Sequence, residues 1–375
     1  MTRAALKRRA SKSLLLALVL FPIDCPAQTS QTFQQLSQSA DRAREQSRDD
    51  DAIQLYGRAL ALKPDSQESL WYLATLLYAK NEFAAARDRF RMFLALRPDA
   101  SAAWALLGLS EFQIREYPRA LDHLQRAVAA GTGDNADLKS SAIHALGILL
   151  TRFEHYDDSL DVLFANAKNC DDPTLDAEGL AGLRLPLLPS EIPQDRHPLI
   201  PLAGQGLCAV QQGRTDDALK LFSSLETSYP NEPGVHFLLG SLLMSTRPAE
   251  GIAEMKHELE ISPSNVPARN RLAEQYTKSG QIDQALILAR EAKKLEPGNF
   301  SVNITLGEAL IAKGESAEGI KELEAARDNV PDNIRIRLDL ARAYAGVGRA
   351  EDAKREKQQL EKLNQQNGTP DAKPE

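Results

Sequence analysis

Apolar positions along this chain fall in short stripes with helical spacing, and the stripes recur. Leu239-Gly240, Leu272-Ala273, Leu306-Gly307 and Leu340-Ala341 each set a large apolar residue beside a small one, with Leu243, Tyr276, Leu310 and Tyr344 one helical turn on. Positions i, i+1 and i+4 share a face of a helix, so each set predicts the buried stripe of a first helix, A. A second stripe follows, with Ala52, Ala86, Ala218 and Ala285 at its small position and Tyr56, Phe90, Phe222 and Leu323 at its large one. Prolines at 64, 98, 230, 263, 297 and 331 close these second helices, B, at intervals of 33 or 34 within two runs. Proline ends a helix because it lacks an N–H and disfavours helix in the residue before it.

A fixed period in this range signals stacked supersecondary units. One copy opens with Trp104-x-x-Leu107-Gly108, followed by Ala120, Leu124 and Ala127. That pattern resembles the tetratricopeptide repeat, a 34-residue helix–turn–helix carrying W-x2-L-G-x2-Y, then A-x3-F, then P. The resemblance covers roughly residues 33 to 363. It implies an all-α fold, a right-handed α-solenoid in two arrays joined by a Pro-rich insertion. A single helix pair leaves one face bare, so neighbours must stack, and the small residue marks where helix B crosses close to helix A. The repeats are expected at about 33–66, 67–100, 101–134, 140–173, 199–232, 233–265, 266–299, 300–333 and 334–367. Asn166 and Glu258 stand where a small residue is usual, Lys357 where an aromatic is usual, and one residue is missing near Arg247-Pro248. Arg355, Glu356, Lys357, Gln358 and Lys362 read as a solvating cap on the last helix.

The segment 175–198 breaks the period between an N-terminal array (28–174) and a C-terminal array (199–363). Thr174 to Glu178 reads as a helix start running to Leu185, and Pro186, Pro189, Pro193 and Pro198 forbid a continuous helix beyond. Leu187, Leu188 and Ile192 keep this stretch greasy, so it either docks across the join or is offered to a partner. The tail 364–375 is expected to be disordered.

Charge and cysteine content narrow the setting. Arg3, Lys7, Arg8, Arg9 and Lys12 precede the apolar run Leu14–Phe21, and Cys25-Pro26-Ala27 leads into a polar stretch. Residues 1–27 therefore read as an export signal, which places the chain in the periplasm or outside the cell. An uncleaved anchor, a twin-arginine signal and a lipoprotein cut before Cys25 are the other readings. Loss of five basic side chains and one acid would take the formal charge from −7 to −11. That balance argues against a nucleic-acid partner, which would demand basic patches. No further run is long enough to span a membrane. Cys170 and Cys208 flank the proline segment; they could staple it or remain two buried thiols.

Catalytic signatures are missing. Gly131-x-Gly133-x-x-Ala136 and Gly204-x-Gly206-x-x-Ala209 fit a loose dinucleotide pattern, but neither follows a strand within a βαβ unit. The six histidines lack metal-ligand spacing. Asp157-Asp158, Asp171-Asp172 and Asp216-Asp217 fall at helix starts, where acids cap N–H groups or favour the dipole. Glu254, His257 and Glu258 read as a charged helix face. No enzyme activity, metal or cofactor is expected.

The family resemblance implies a concave groove lined by the A helices. In this register Trp71, Thr75 and Tyr78 face it, then Ala105, Leu109 and Phe112, then His144, Ile148 and Arg152. The second array contributes Phe237, Ser241 and Met244, then Asn270, Glu274 and Thr277, then Ile304, Glu308 and Ile311. Large aromatic and Met residues are typical binding anchors, though they could equally pack between adjacent A helices. The Lys and Asn set that some members use to hold a peptide's terminal carboxylate is not reproduced. The resemblance thus implies a non-catalytic scaffold binding protein or peptide partners. The other reading is an accessory subunit of a polysaccharide-export, pilus or secretion assembly, whose groove would bind protein or sugar.

Overall fold

The structure is a computed structural model describing residues 32–133, 135–166 and 175–367. Among these residues lie nineteen α-helices, two short 3-10 turns and no strand. Both the export-signal reading of 1–27 and the paired acids at 171–172 fall outside the described residues.

The helices alternate A, B along the chain. The first hairpins are α1 (Phe33–Glu45) with α2 (Asp49–Leu62), α3 (Gln67–Ala79) with α4 (Phe83–Leu96), α5 (Ser101–Gln113) with α6 (Tyr117–Ala130) and α7 (Ala136–Arg152) with α8 (Tyr156–Phe164). An unpaired α9 (Leu175–Gly182) follows. The series resumes with α10 (Leu199–Gln211) and α11 (Thr215–Ser228), then α12 (Val235–Thr246) and α13 (Pro248–Ile261). It closes with α14 (Val266–Lys278) and α15 (Ile282–Leu295), α16 (Phe300–Lys313) and α17 (Ser316–Asn329), and α18 (Ile334–Gly346) and α19 (Ala350–Asn367). α19 thus continues beyond Asn364, where disorder is expected from composition.

Contacts divide the chain into two compact units, one ending at Leu73 and the other beginning at Ala74, within α3. In the first, Leu36, Ala40, Ala52, Tyr56 and Leu70 are buried. The Tyr56 hydroxyl donates to Asp41 at 2.6 Å, and its ring stacks on Tyr72 with centroids 5.9 Å apart. Burial, with the Asp41 bond, pushes the Tyr56 hydroxyl well above its ordinary pKa.

In the second unit the small-residue positions are close crossings. A methyl at Gly206 would lie 2.2 Å from the Phe222 ring, and one at Gly307 2.9 Å from Leu323. Gly204 and Gly206 of the second dinucleotide-like pattern are therefore packing residues, whereas Gly131 and Gly133 of the first take left-handed backbone in open space. The tightest approach lies between α9 and α10. A methyl at Gly179 would sit 2.0 Å from the Ile200 carbonyl oxygen, and one at Gly204 2.1 Å from that of Leu175.

Three of the six repeat prolines, Pro263, Pro297 and Pro331, work together with an asparagine two residues later. Asn265, Asn299 and Asn333 each accept from backbone N–H groups of the next A helix, at 3.0 Å from Ala268, 2.9 Å from Ser301 and 3.2 Å from Ile336. Proline thus ends one helix and Asn starts the next. Asp157-Asp158 and Asp216-Asp217 behave differently. They occupy first turns, where they favour the dipole, but α8 and α11 have no side-chain cap bond. Near the deleted residue, Arg247 is at once the last residue of the α12 end and the residue preceding α13.

The three irregular positions have separate explanations. α8 stops at Phe164, so Asn166 lies beyond the helix and bonds back to the Val162 carbonyl at 2.9 Å. Lys357 is exposed, whereas Glu356 is buried between Arg327 at 3.1 Å and Arg337 at 2.7 Å. The last helix is therefore a solvated cap only in part. Glu258 is fully buried. Its carboxylate accepts from Gly234 N–H at 3.0 Å, Phe237 N–H at 3.2 Å and Asn265 Nδ2 at 2.8 Å. It supplies from α13 the N-terminal cap that α12 lacks in its own sequence.

The charged-face reading of α13 fails at Glu258 but holds for His257, which is exposed and covers a buried histidine of α12. His236 is buried and stacks on His257, with ring centroids 4.1 Å apart. Its Nδ1 lies 2.6 Å from Glu254 and its Nε2 2.8 Å from the Pro230 carbonyl. Both partners are acceptors, so this geometry favours the doubly protonated ring. Burial alone would push this imidazole down, but the Glu254 and Pro230 bonds, with Glu226 nearby, hold it above its ordinary value. A raised folded-state pKa gives stability that is full below pH ~6.5 and lost as pH rises through the raised value. Urea denaturation at pH ~6 and ~8.5 should show the native chain losing stability that His236→Gln does not lose, with the variant about 2 kcal/mol weaker at the lower pH.

The proline segment is docked. Leu188 packs with Ile143, Ile148, Leu163 and Ala177, while Leu187 and Ile192 pack on the core around Leu180 and Leu199. Arg152 donates to the Pro186 carbonyl at 2.7 Å and to Glu191 at 2.9 Å. Cys208 is buried and disulfide-bonded, not an inert thiol; its partner lies outside the described residues.

Candidate functional site

The A-helix residues expected to line a groove divide into three groups. Near the N-terminal end they are largely consumed by packing. Trp71 is half-buried within the first unit. In the second unit, Tyr78 sits edge-on to Phe83 at 5.5 Å and packs on the core around Ala105 and Leu109, as does Phe112. His144 is half-buried, and Ile148 lies under Leu188. The proline segment therefore covers part of the α7 surface, and Arg152 ties it down.

At the C-terminal end the expected residues are mostly satisfied among themselves. Ile304 is 6% exposed and belongs to the core with Ile320, Leu323 and Leu340. Glu308 accepts from Arg335 at 2.8 Å, and Arg335 also lies 3.6 Å from Glu274, which pairs with Lys278 at 2.9 Å. Burial pushes Glu308 and Asp339 up, against the pull of Arg335.

Between these ends the surface opens. A cavity of about 460 Å³ is walled by Leu207 and Val210 of α10, Phe237, Leu238 and Leu242 of α12, and Ala181 and Gly182 of α9. Val210 is 42% exposed there. Asp157, Arg184 and Arg271 stand at its rim. A second, more polar cavity of about 350 Å³ shares Asp157, Phe237 and Arg271 with the first and adds Asn270, Glu274, Ser301 and Arg335. Of the expected residues, Phe237, Ser241, Asn270 and Glu274 are thus brought to one open region. Met244 lies just behind, packed on Met255 and Leu272.

The charges at this region are unequal in their satisfaction. Arg184 stacks on Tyr156 at 4.3 Å and lies 3.8 Å from Asp157. Arg271 is exposed and acts on the Glu274 carboxylate from beyond ion-pair distance. Asn270 donates to Ser301 at 3.1 Å, but its Oδ1 is withdrawn from solvent with no donor among the described residues, and so is the Ser241 hydroxyl. Arg271, Val210 and Leu242 are not in the expected set. The α9 wall has no place in the repeat register, so periodicity gives no hint of it. Among the described residues no group of three His, Cys, Asp or Glu is placed to hold a metal, and no helix is long and apolar enough to cross a membrane.

Comparison with known families agrees with the helix pattern. A tetratricopeptide repeat model matches residues 38–92, 73–135 and 304–362, and a second one matches residues 204–232. The chain is a tetratricopeptide repeat protein. Solved structures similar to it include MamA, residues 41 to the end, from Desulfovibrio magneticus RS-1. That match has 16% identity and a TM-score of 0.41, covering 45% of this chain and 96% of the other. MamA AMB-1 is 24% identical with a TM-score of 0.38, covering 43% and 96%. No curated protein sequence matches.

Proposed function

We propose that this tetratricopeptide repeat protein is a non-catalytic scaffold of the cell envelope that holds a protein or peptide partner on the inner surface of α10, α12 and α14. The observation that carries the reading is the open apolar cavity bounded by Val210, Phe237 and Leu242. A cavity of this size, mostly apolar with a few polar groups at its edge, is the usual form of a recognition site. Elsewhere along the A helices the candidate residues are engaged by the chain itself. The envelope location is supported by the basic and apolar N-terminal run and by the disulfide at Cys208, since disulfides persist in oxidising compartments.

The test is selection of a displayed random-peptide library on the purified protein. Peptides should be recovered and should lose binding at least about tenfold to Val210→Arg, which fills the cavity with a charged side chain. Ile287→Arg, at a 60% exposed position of α15, should leave binding unchanged. Equal binding to both variants would remove the reading.

A further inference from the structure

We infer that Glu308 and Asp339 form a proton-operated latch between α16 and α18, which tightens the last described hairpin onto its neighbour as pH falls. The inference stands apart from the groove reading above. Its first support is a shortage of cations. Three carboxylates from three successive A helices, Glu274, Glu308 and Asp339, converge on the one guanidinium of Arg335. Glu308 takes the short contact at 2.8 Å, while Glu274 lies at 3.6 Å and Asp339 at 3.9 Å. Glu274 has a second partner in Lys278 at 2.9 Å. The other cation near Asp339 is Arg342, 3.9 Å away on a side chain 71% exposed, where water screens it. Asp339 Oδ2 is withdrawn from solvent and receives no hydrogen bond among the described residues.

The second support is the placement of the pair. Glu308 and Asp339 face one another within reach of a carboxyl-to-carboxylate hydrogen bond. Both side chains are more than three-quarters buried, so two full charges there would repel with little water to screen them. One shared proton replaces that repulsion with a bond from α16 to α18. The directions of titration agree. Burial pushes both acids above their ordinary range, and Asp339 adds to the rise at Glu308. Burial would raise Glu274 too, but Lys278, Arg335 and Arg271 hold it below its ordinary value, so it stays charged. The folded chain therefore keeps a proton that the unfolded chain releases above pH ~4.5, and linkage makes the fold gain stability as pH falls toward that value. The third support is position. Among the described residues the α18–α19 hairpin packs on one neighbouring hairpin, so a bond to α16 governs its local opening.

The experiment is amide hydrogen exchange of the full chain, with each rate divided by the intrinsic rate of unfolded peptide at the same pH. From pH ~7.5 to ~5.5 protection across Ile334–Gly346 should rise about tenfold, the linkage of one proton over one unit. Glu308→Gln keeps the shape and carries the donor that the proton supplies. It should show the high protection already at pH ~7.5 and lose the pH response. Arg335→Gln should keep the response but move it to higher pH, because the guanidinium favours the charged carboxylates. His236→Gln should leave the response in place, which separates it from titration of the buried imidazole in α12. The inference is overturned by protection that does not change with pH, by an equal rise in Glu308→Gln, by a response that Arg335→Gln leaves at the same pH, or by its loss in His236→Gln.

Discussion

Gly204→Ala is expected to cost about 4 kcal/mol of stability, and Gly179→Ala a similar amount, because each new methyl would point at a backbone carbonyl of the neighbouring helix. Side chains can rotate away from an intruding methyl; Leu175 and Ile200 carbonyl oxygens cannot, because moving them moves the helix axis. Forcing α9 from α10 would also open the cavity wall at Ala181 and Gly182 and release the core around Leu180, Leu199 and Phe222. The control is Gly57→Ala in α2, where nothing lies within 4 Å of the added methyl. There alanine should raise stability by about 0.5–1 kcal/mol, through helix propensity alone. Thermal melts followed by circular dichroism would separate the two. Equal melting of Gly204→Ala and the unmodified chain would mean that α9 does not pack as described.

Glu258→Ala should be comparably damaging, at about 3–5 kcal/mol. The loss is not one of volume. It leaves the Gly234 and Phe237 N–H groups and the Asn265 amide buried without an acceptor, at the positive end of α12. Glu258→Gln retains the shape and one acceptor oxygen, so it should recover part of that loss. Urea unfolding of the three proteins would show the series. A variant with alanine as stable as the parent would refute the capping role. Because Phe237 borders the cavity, Glu258→Ala should also weaken peptide binding.

The fold is legible because each repeat needs the same few residues for the same steric reason. Ala52, Ala86 and Ala218 sit at helix crossings, Tyr56, Phe90 and Phe222 fill the seams beside them, and each repeat proline lies just past a helix B. The exceptions are legible only in three dimensions. Glu258 looks like a defect in the small-residue column because its partners, Gly234 and Phe237, belong to the preceding helix. His236 and His257 look scattered because stacking joins residues 21 positions apart. Left-handed backbone recurs at the A–B turns, at Ser47, Asn81 and Arg115 early and at Gly213, Gly280, Gly314 and Gly348 later. The glycines at 280, 314 and 348 carry that signal in the sequence as clearly as the prolines do.

The site is less legible than the fold. Register nominates A-helix residues for a groove, and Phe237, Ser241, Asn270 and Glu274 do border the open region. It cannot say which inward positions are covered by non-repeat chain. Leu188 and Arg152 close the α7 surface through a segment with no period, and Gly182 opens the neighbouring one by the same irregularity. Ile304 illustrates the other gap: a large apolar residue at an inward position sinks into the core whenever the next helix presents a complementary face, here Leu340 of α18.

Amide hydrogen exchange of the protein with and without a library-selected peptide is the most direct test of where the partner sits. Slowed exchange across Leu199–Gln211, Val235–Thr246 and Val266–Lys278 is the predicted result. Protection confined to Thr215–Ser228, Pro248–Ile261 and Ile282–Leu295, the B helices of the same hairpins, would contradict it.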